Sequence, residues 1–574
     1  MRALPIRLAV VILLLAICAF AGPSAEDPAI APGGVLHAAR RTPMGGSNSQ
    51  IALGGIFVIG GKRLGPSIRI RGSAPYPTRL PDDPSGTSVR LTNVLNKTAV
   101  DAYVISASDE EVVAIAPAAT MAGDDFVTVT YQGRTSDSVK IAVVVSNFGI
   151  FTRNDLGHGP AVAMTIDSSG AYQPIGLATP AQAGQTVAIR GSGLGPVTTA
   201  ENGLSTATFD TTDVEVLIGG VSVPAVFGGR VPDEPATDEI QFQIPNDGSV
   251  PDGCYVPVAI KVGARLSNFA TIPKAAAGSA GACDHPLNLR PQTLASLDAG
   301  GSITAGIMGI TRLDLETPFG SGIFAARGGI FAKLNANSLF LPAGLATMTV
   351  TDGACTVYQA SVTSNFDMIF PVPVGKGLDA GTNLSVIAPD LGRDSLPRRS
   401  SGAYDKSSLL QEALLPKELR GSWTFSGQGG SEVNAFSASL DLPAPLSWTN
   451  RDSIGDIDRS RDLDITWQTN GEARFERVLV SGGIFRPSPD DYLSVMSVQF
   501  SCSSPFMAGT VTIPSLILRQ LPPSEEQDIT FLVVANSAFD VRPMTFPAKS
   551  TSAVAIDATG TTFVLGVGKI VNYR

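Results

Sequence analysis

Hydrophobic and polar residues alternate along most of this chain, and this pattern predicts strands rather than helices. Short runs such as residues 214–218 and 240–244 carry apolar side chains at every second position, which places those side chains on one face of a strand. Glycine and proline are frequent between such runs, with 60 and 41 residues respectively, as expected when many short strands are joined by turns. We therefore predict an all-β protein.

The same order of elements occurs twice in the first half of the chain. Residues 54–66 read GGIFVIGGKRLGP, and residues 184–196 read GQTVAIRGSGLGP. In both copies an alternating strand leads into a glycine-rich turn that ends in Leu-Gly-Pro, and a later strand stops at a proline. Both copies then end in a hairpin with a glycine, Gly133 or Gly263, at its turn. The chain therefore contains a tandem repeat of one domain.

The glycine-rich turn at residues 191–195 has two interpretations, a phosphate-binding loop or a turn within a β-domain. A phosphate-binding loop needs a helix directly after the glycines, so that the N-terminal amides of the helix face the anion. The residues after Pro196 lack the helical spacing of apolar positions, and the stretch after Pro66 is interrupted by further prolines, which a helix does not tolerate. We therefore expect the glycines to form sharp turns or a bulge.

Across about residues 33–275 the repeat resembles the Ig-like, IPT/TIG-related repeats of large families of secreted proteins from soil bacteria. The resemblance rests on the ordered motifs AQAGQTVAIRGSGLGPV, VEVLIGG, EIQFQIPNDG and GCYVPVAIKVGARLSNFATI, and on the joining segment SNFGIFTRNDLGHGPAVAMT. It implies a β-sandwich for each copy and no catalytic residues, because those families have no assigned activity. The first copy departs from the pattern at Lys62 and Arg63 and lacks the cysteine pair.

These patterns predict tandem immunoglobulin-like β-sandwich domains after a cleaved signal peptide. The predicted units are, in chain order, a signal peptide 1–21, a first repeat 33–147, a second repeat 148–275, a linker 276–299, a β-rich domain 300–440 and a C-terminal β-sandwich-like domain 441–574. The C-terminal half is thus expected to hold one or two further β-domains.

Export is predicted from the first residues. Arg2 and Arg7 precede an apolar run that ends in an Ala-Phe-Ala cleavage site, which is typical of a secretory signal peptide. Cys18 leaves a lipid anchor as the alternative, although the bulky Ile17 before it is unfavourable for lipidation. No later apolar run has the length of a membrane-spanning helix. We therefore expect a secreted or cell-surface protein.

Four cysteines follow the predicted signal peptide, and an even number in an exported chain indicates disulfides. Three pairings are possible. We expect Cys254–Cys283 and Cys355–Cys502, because each pair would then lie within one domain. No Cys-x-x-Cys motif or cysteine–histidine cluster indicates a zinc site.

The residue types that serve in acid–base and nucleophilic catalysis give little support for an enzyme. The three histidines, His37, His158 and His285, lie in glycine-rich, proline-rich or linker-like segments, and we expect them to be exposed in loops. No Gly-x-Ser-x-Gly motif supplies a nucleophilic serine. We therefore predict a protein that is not an enzyme, with no catalytic residues and no organic cofactor.

An aspartate-rich segment, RDSIGDIDRSRDLD, is the candidate for a metal site. Asp452, Asp456 and Asp458 are weak candidates for Ca²⁺ ligands, because calcium prefers carboxylate oxygens. The spacing differs from that of an EF-hand, and arginines are interleaved with the aspartates. An ion-paired turn at a strand edge is therefore the other interpretation.

Charge and aromatic content limit the choice of function. A net charge of −10 argues against nucleic acid and anionic membranes as partners. Trp423, Trp448 and Trp467 lie in strand-like runs, so we expect them in cores. We predict a non-enzymatic exported protein for cell-surface or extracellular interaction, in adhesion or envelope structure, with an unknown extracellular protein or polysaccharide as partner. The alternatives are a carbohydrate-binding accessory protein, which predicts exposed aromatics, and an extracellular hydrolase whose site lies in a deep pocket of the C-terminal half.

Overall fold

A computed structural model of the protein describes residues 27–81, 83–198, 201–276, 281–317, 320–337, 354–363, 377–389, 392–409, 421–443, 446–469, 477–487, 494–540, 544 and 556–574. The predicted signal peptide, with Cys18, lies outside the described residues. Strands dominate these ranges, and two short helices, α1 (Pro291–Asp298) and α2 (Ser515–Leu518), interrupt them. Neither helix has both the length and the apolar character needed to cross a membrane, and the same holds throughout the described ranges. The prediction of an all-β protein is confirmed.

The first repeat is a sandwich of two sheets. Its strands are β1 (Ala29–His37), β2 (Ile51–Ala52), β3 (Ile56–Lys62), β4 (Ile70–Arg71), β5 (Arg79–Leu80), β6 (Thr87–Asn93), β7 (Ala99–Asp101), β8 (Tyr103–Ala107), β9 (Glu111–Ile115), β10 (Gly123–Tyr131), β11 (Arg134–Thr135) and β12 (Val139–Val144). One sheet has the order β1-β3-β9-β8-β4 and the other has β2-β12-β10-β6-β5, with β7 beside β6 and β11 beside β10. Phe57, Val89 and Val127 are fully buried between the two sheets, as the alternating pattern requires.

The second repeat has the same pairings. Its strands are β13 (Gly149–Ile150), β14 (Ala163–Ile166), β15 (Tyr172–Pro174), β16 (Ala181–Gln182), β17 (Thr186–Ser192), β18 (Val214–Ile218), β19 (Val221–Arg230), β20 (Asp238–Gln243), β21 (Gly253–Val262), β22 (Arg265–Leu266) and β23 (Ala270–Ala275). β17 pairs with β20 as β3 pairs with β9, and β18 pairs with β21 as β6 pairs with β10. The predicted tandem organisation is confirmed.

One strand distinguishes the second repeat from the first. The long β19 pairs with β18 at its start and with β20 at its end, and its register shifts between Ala225 and Phe227. Such a bulge bends a strand, so β19 passes from one layer of the sandwich to the other. The strands of the second repeat therefore form one continuous sheet, ordered β15-β14-β17-β20-β19-β18-β21-β23-β16 with β13 beside β17 and β22 beside β21.

The hairpin turns lie where the sequence predicted them. Gly133 joins β10 to β11 with a φ of +74°, and Gly263 joins β21 to β22 with a φ of +58°. Two-residue hairpin turns need residues with positive φ, which glycine adopts without steric penalty.

The predicted linker 276–299 contains the helix α1. Its buried side chains Leu294 and Leu297 pack beside the disulfide of the second repeat. The carboxylate of Asp298 accepts hydrogen bonds from the backbone N–H groups of Leu177 and Ala178, at 3.0 and 2.8 Å. This segment is therefore docked against the second repeat.

The C-terminal half is built on one large sheet. Its strands are β24 (Ser302–Thr317), β25 (Gly320–Asn335), β26 (Cys355–Thr363), β27 (Asn383–Ala388), β28 (Gly392–Pro397), β29 (Tyr404–Leu409), β30 (Gly421–Gly429), β31 (Asn434–Leu442), β32 (Ser447–Trp448), β33 (Leu463–Gln468), β34 (Arg477–Pro487), β35 (Ser494–Pro505), β36 (Thr510–Ile513), β37 (Ile529–Asp540) and β38 (Ala558–Lys569). Eight of them form a sheet ordered β26-β35-β34-β37-β38-β24-β25-β29.

Two smaller sheets cover this large sheet. The sheet β28-β27-β30-β31 packs on the part that contains β24, β25 and β38, and Trp423 lies in the core between them. The sheet β32-β33-β36 packs on β34, β35 and β37, with Trp448 and Trp467 in that core. The three tryptophans are 1, 7 and 4 % exposed, which confirms the expectation that they lie in cores.

The large sheet differs from the predicted division of the C-terminal half at residue 440. β24 pairs in parallel with β38, and β26 pairs with β35. Strands from residues 300–440 and from residues 441–574 therefore share one sheet, and a boundary at residue 440 does not describe this arrangement. The alternating pattern identifies each strand locally, but it does not say which distant strand will be its neighbour.

Candidate functional site

Both predicted disulfides are present. Cys254, near the start of β21, is bonded to Cys283 in the segment that leads to α1. Cys355 and Cys502 are opposed residues of β26 and β35, and they form the second disulfide. The second disulfide spans residue 440, so it closes the shared sheet instead of lying within either predicted C-terminal unit.

The aspartate-rich segment does not converge on a metal site. Asp456 lies 2.6 Å from Arg574, and Asp458 lies 3.3 Å from Arg461, while Asp452 belongs to a 3-10 turn. Within the described ranges, no group of three histidine, cysteine, aspartate or glutamate residues is placed to hold a metal ion. Calcium binding by Asp452, Asp456 and Asp458 stays a prediction from the sequence.

The expectation of exposed loop histidines is wrong. His37 ends β1 and is fully buried, and the Nε2 atom of the buried His285 lies 2.8 Å from the Tyr255 hydroxyl. His158 is half-buried, and its ring meets Tyr358 edge-on with centroids 4.7 Å apart. Burial lowers the pKa of His37 to about 3 and those of His158 and His285 to about 4, so all three are neutral at neutral pH.

His37 belongs to a set of buried polar groups that lies where the two repeats meet. We call this set the joint. Its members come from both repeats and from the segment between them: His37, Arg40, Asn147, Ser192, Arg230 and Asp238. Each is at most 5 % exposed, so each needs partners within the protein.

His37 is held in one neutral form within the joint. Its Nδ1 atom accepts hydrogen bonds from the backbone N–H groups of Ala39 and Arg40, at 3.2 and 3.3 Å. The proton of the neutral ring therefore lies on Nε2, which packs against the backbone of Gly193. A Cβ atom at Gly193 would lie 3.0 Å from this nitrogen and 2.5 Å from the carbonyl oxygen of Asn147, so a side chain at Gly193 would separate the repeats.

Arg40 of the first repeat donates hydrogen bonds to backbone carbonyl groups of the second repeat. Its Nη1 atom donates to the carbonyl oxygens of Phe148 and Leu266, at 3.0 and 2.8 Å. The side-chain amide of Asn147 donates in the other direction, to the carbonyl oxygens of Asn48 and Gln50. The connection between the repeats is thus hydrogen bonded to both of them.

Arg230 and Asp238 form a buried ion pair at the joint. Their side chains are 2 and 0 % exposed, and Nη1 lies 3.1 Å from Oδ1. Arg230 also donates through Nη2 to the carbonyl oxygens of Gly54 in the first repeat and Gly195 in the second, at 3.0 and 2.9 Å. One guanidinium group therefore links the Leu-Gly-Pro turn of the second repeat to the residues just before β3 in the first repeat.

Asp238 occupies the amides of the glycine-rich turn. Its Oδ2 atom accepts hydrogen bonds from the N–H groups of Gly193 and Leu194, at 2.7 and 2.8 Å. Gly193 and Gly195 have φ values of +101° and +147°, so the expectation of sharp turns is confirmed at these positions. The amides that would face a phosphate in the other interpretation are bound to an internal carboxylate. Burial raises the pKa of Asp238 to about 6, while Arg230 and the two amides oppose this shift.

Further contacts surround the ion pair. The Ser192 hydroxyl accepts from the N–H of Ile56 at 3.0 Å and donates to the carbonyl of Ala236 at 2.8 Å. A loop of the second repeat reaches the first, where Glu201 accepts the N–H of Ala118 at 2.6 Å. The joint therefore combines a polar centre with contacts at its rim.

Chemically, this arrangement is suited to holding two modules together. The His37 ring is inaccessible. The Asp238 carboxylate accepts two backbone hydrogen bonds and is ion-paired with Arg230, and the Ser192 hydroxyl donates to a backbone carbonyl. Two small cavities border this set, one lined in part by Arg230 and the other in part by Arg40. The joint positions the repeats instead of presenting a reactive group.

Comparison with known proteins leaves the family open. No family model matches the chain, and no curated protein matches it, so the likeness to IPT/TIG-related repeats stays a resemblance. Similar solved structures include a tetra-tandem repeat from the extending region of a large adhesion protein, 11 % identical, covering 90 % of this chain and 95 % of that chain, with a TM-score of 0.13.

Two other solved structures are similar to this chain. SGBP-B from a xyloglucan utilization locus of Bacteroides uniformis is 12 % identical, covering 85 % of this chain and 100 % of that chain, with a TM-score of 0.17. Domains 5–6 of the S-layer protein SbsC are 15 % identical, covering 44 % of this chain and 100 % of that chain, with a TM-score of 0.15. At these TM-scores the three structures carry no conclusion about the function of this chain.

Proposed function

We propose that this chain is a non-enzymatic exported protein that acts in cell-surface or extracellular interaction, in adhesion or envelope structure. In this proposal its β-sandwiches hold interaction surfaces in a fixed relative orientation. The observation that carries the proposal is the joint, because its buried arginines donate hydrogen bonds across the boundary between two modules.

Domain interfaces within one chain commonly allow relative motion unless the interface is large and hydrophobic, so the rigidity of a polar joint has to come from its hydrogen bonds. Opening this joint would separate the Arg230 guanidinium from the Gly54 carbonyl and would break the two hydrogen bonds that Arg40 donates across the boundary. Buried charged donors that lose their partners destabilise a protein by several kcal/mol. The two repeats are therefore suited to act as one rigid unit, which is useful in a protein that spaces or presents surfaces.

Export is supported by the cysteines. Disulfides persist in oxidising compartments outside the cytoplasm, and all four cysteines after the predicted signal peptide are paired. The predicted signal peptide also indicates export. Proposed localisation is therefore the cell surface or the extracellular space.

Binding of the purified mature protein to an array of polysaccharides and matrix proteins, with and without Ca²⁺, tests this proposal. We expect retention of at least one class of partner and no release of shortened or modified products. Turnover of an array component, or a folded protein that binds nothing on the array, would contradict the proposal. Loss of binding on removal of Ca²⁺ would support a calcium-binding role for Asp452, Asp456 and Asp458, two of which are now ion-paired with arginines.

A further inference from the structure

The second repeat carries an exposed aromatic side chain on its sheet. Tyr172 of β15 is 43 % exposed, whereas the three tryptophans are at most 7 % exposed. Among the large hydrophobic side chains that are exposed in the described ranges, Tyr172 is the aromatic one. A tyrosine in this position offers part of its apolar ring to solvent.

The Tyr172 side chain is fixed by hydrogen bonds to a distant strand of the same sheet. Its hydroxyl donates to Oε1 of Glu239 at 2.8 Å and accepts from Nε2 of Gln241 at 3.2 Å. β15 and β20 are separated by β14 and β17 in the sheet order. The side chain therefore lies across the strands between them, and its two hydrogen bonds hold its tip against the sheet while part of the ring stays exposed.

The tip of this side chain remains a hydrogen-bond donor. Burial of the hydroxyl and the neighbouring Glu239 carboxylate raise the pKa of Tyr172 to about 12. Gln241 also donates to the same Glu239 oxygen, at 2.7 Å. Glu239 itself is 5 % exposed, so it orients the other two side chains from below.

Two further charged side chains lie beside this group. The Nε atom of Arg190 lies 3.9 Å from Oε2 of Glu239, and its Nη1 atom pairs with Glu234. The Arg190 and Glu234 side chains are 23 and 45 % exposed, so both reach solvent. We call the set Tyr172, Arg190, Glu234, Glu239 and Gln241 the Tyr172 surface.

We propose that the Tyr172 surface binds a neutral oligosaccharide, with one sugar ring stacked on Tyr172 and its hydroxyl groups hydrogen bonded to Glu234 and Arg190. A sugar ring has an apolar C–H face and a rim of hydroxyls, which an aromatic ring flanked by planar polar side chains complements. Two carboxylates and one guanidinium give this surface a net negative charge, which disfavours acidic polysaccharides. This inference rests on the proposed extracellular function and names the partner class for it.

Isothermal titration of the full mature protein with neutral hexasaccharides of β-glucan and α-mannan tests the site, with an oligogalacturonate of equal length as the anionic probe. We expect at least one neutral hexasaccharide to bind and the anionic one to bind more weakly. Tyr172→Ala should weaken binding at least tenfold. Tyr172→Phe keeps the ring but loses the bond to Glu239, so it should weaken binding by about threefold.

Tyr131→Ala is the matched control, because Tyr131 is a half-exposed tyrosine beside a hairpin of the first repeat, with Gln132 as its hydrogen-bond partner. We expect this variant to bind as the wild type does. Thermal unfolding followed by circular dichroism checks that each variant folds. Absence of binding to every neutral hexasaccharide, or binding that survives Tyr172→Ala, overturns the site.

Failure of this site is distinguishable from failure of the proposed function. A protein that is retained on matrix proteins and keeps that retention in Tyr172→Ala would support the extracellular function while overturning the oligosaccharide site. A proline-rich peptide that binds the wild type but not Tyr172→Ala, when no sugar binds, would also overturn it, since the surface would then serve a protein partner.

Discussion

The two Leu-Gly-Pro turns share a sequence pattern but differ in what surrounds them. β3 pairs with β9 as β17 pairs with β20, and this common register places Glu110 of the first repeat where Asp238 lies in the second. Glu110 is exposed, whereas Asp238 is fully buried and binds two amides of its turn. The position equivalent to Gly193 is Arg63, with a φ of +56°.

This difference separates the residues that make the fold from those that make the joint. Leu64 and Leu194 are buried in both copies, so the shared motif serves the sandwich core. The acidic residue Asp238 is a buried ion-pair partner in the second repeat, where the first repeat covers it. Its counterpart Glu110 in the first repeat has no such cover and stays exposed to solvent. One framework thus gives a surface in one copy and an interface in the other.

The largest expected effect is the difference in stability between a variant that lacks the Asp238 carboxylate and one that lacks the Glu110 carboxylate. Asp238→Ala leaves the Arg230 guanidinium buried without its carboxylate and leaves two turn amides without an acceptor, so we expect a loss of about 3–5 kcal/mol in the free energy of unfolding. Glu110→Ala removes an exposed side chain, and we expect a change within about 0.5 kcal/mol. Denaturant titration of both variants measures the difference, and equal losses would refute the contrast between the turns.

Much of the fold could be predicted from these local patterns. The period-two runs identify strands such as β18 and β20, and the glycines at 133 and 263 identify the hairpins, because both features depend on residues close together in sequence. The parallel pairing of β24 with β38 could not be predicted in this way. It joins Ala305 to Ala558, and nothing near either strand specifies the other.

The joint was missed for a related reason. Arg230 and Asp238 are register partners at the ends of β19 and β20, so their pairing could have been proposed from a predicted hairpin. Their burial could not, because it depends on Gly54 in the other repeat. His37 was predicted to be exposed because glycine and proline surround it in sequence, whereas the residues that cover it, at 147–149 and 193, are distant.

A second contrast concerns the pH dependence of stability. As the pH falls, two buried groups of the joint change the free energy of unfolding in opposite directions. The pKa of His37 is lowered from 6.5 to about 3, so the unfolded state binds the proton more readily, and stability is lost as pH falls below 6.5. The pKa of Asp238 is raised from 3.8 to about 6, so the folded state binds the proton more readily, and stability is gained as pH falls through 6. The two contributions offset each other between pH 6 and pH 4.

His37→Asn should expose this compensation. The Oδ1 atom of asparagine can accept the N–H groups of Ala39 and Arg40 in place of Nδ1, but it does not titrate. Relative to the wild type, the variant should gain about 2–3 kcal/mol of stability between pH 7 and pH 4.5, because each pKa unit corresponds to about 1.4 kcal/mol. Urea titrations at both pH values measure this change. A parallel pH dependence in the two proteins would show that His37 does not titrate on unfolding.

The smallest expected effect concerns Arg63, the counterpart of Gly193. Arg63 holds a positive φ at which glycine has no steric penalty, so Arg63→Gly relieves strain while losing the hydrogen bonds that its guanidinium donates to the carbonyl of Asp27. We expect these effects to nearly cancel, with a change in the free energy of unfolding within about 1 kcal/mol. The reverse type of change, Gly193→Ala, places a Cβ atom 2.5 Å from the Asn147 carbonyl oxygen, so it should be clearly more destabilising. Thermal unfolding of the two variants compares them directly, and an equally tolerant Gly193 would mean that the joint can open without loss of stability.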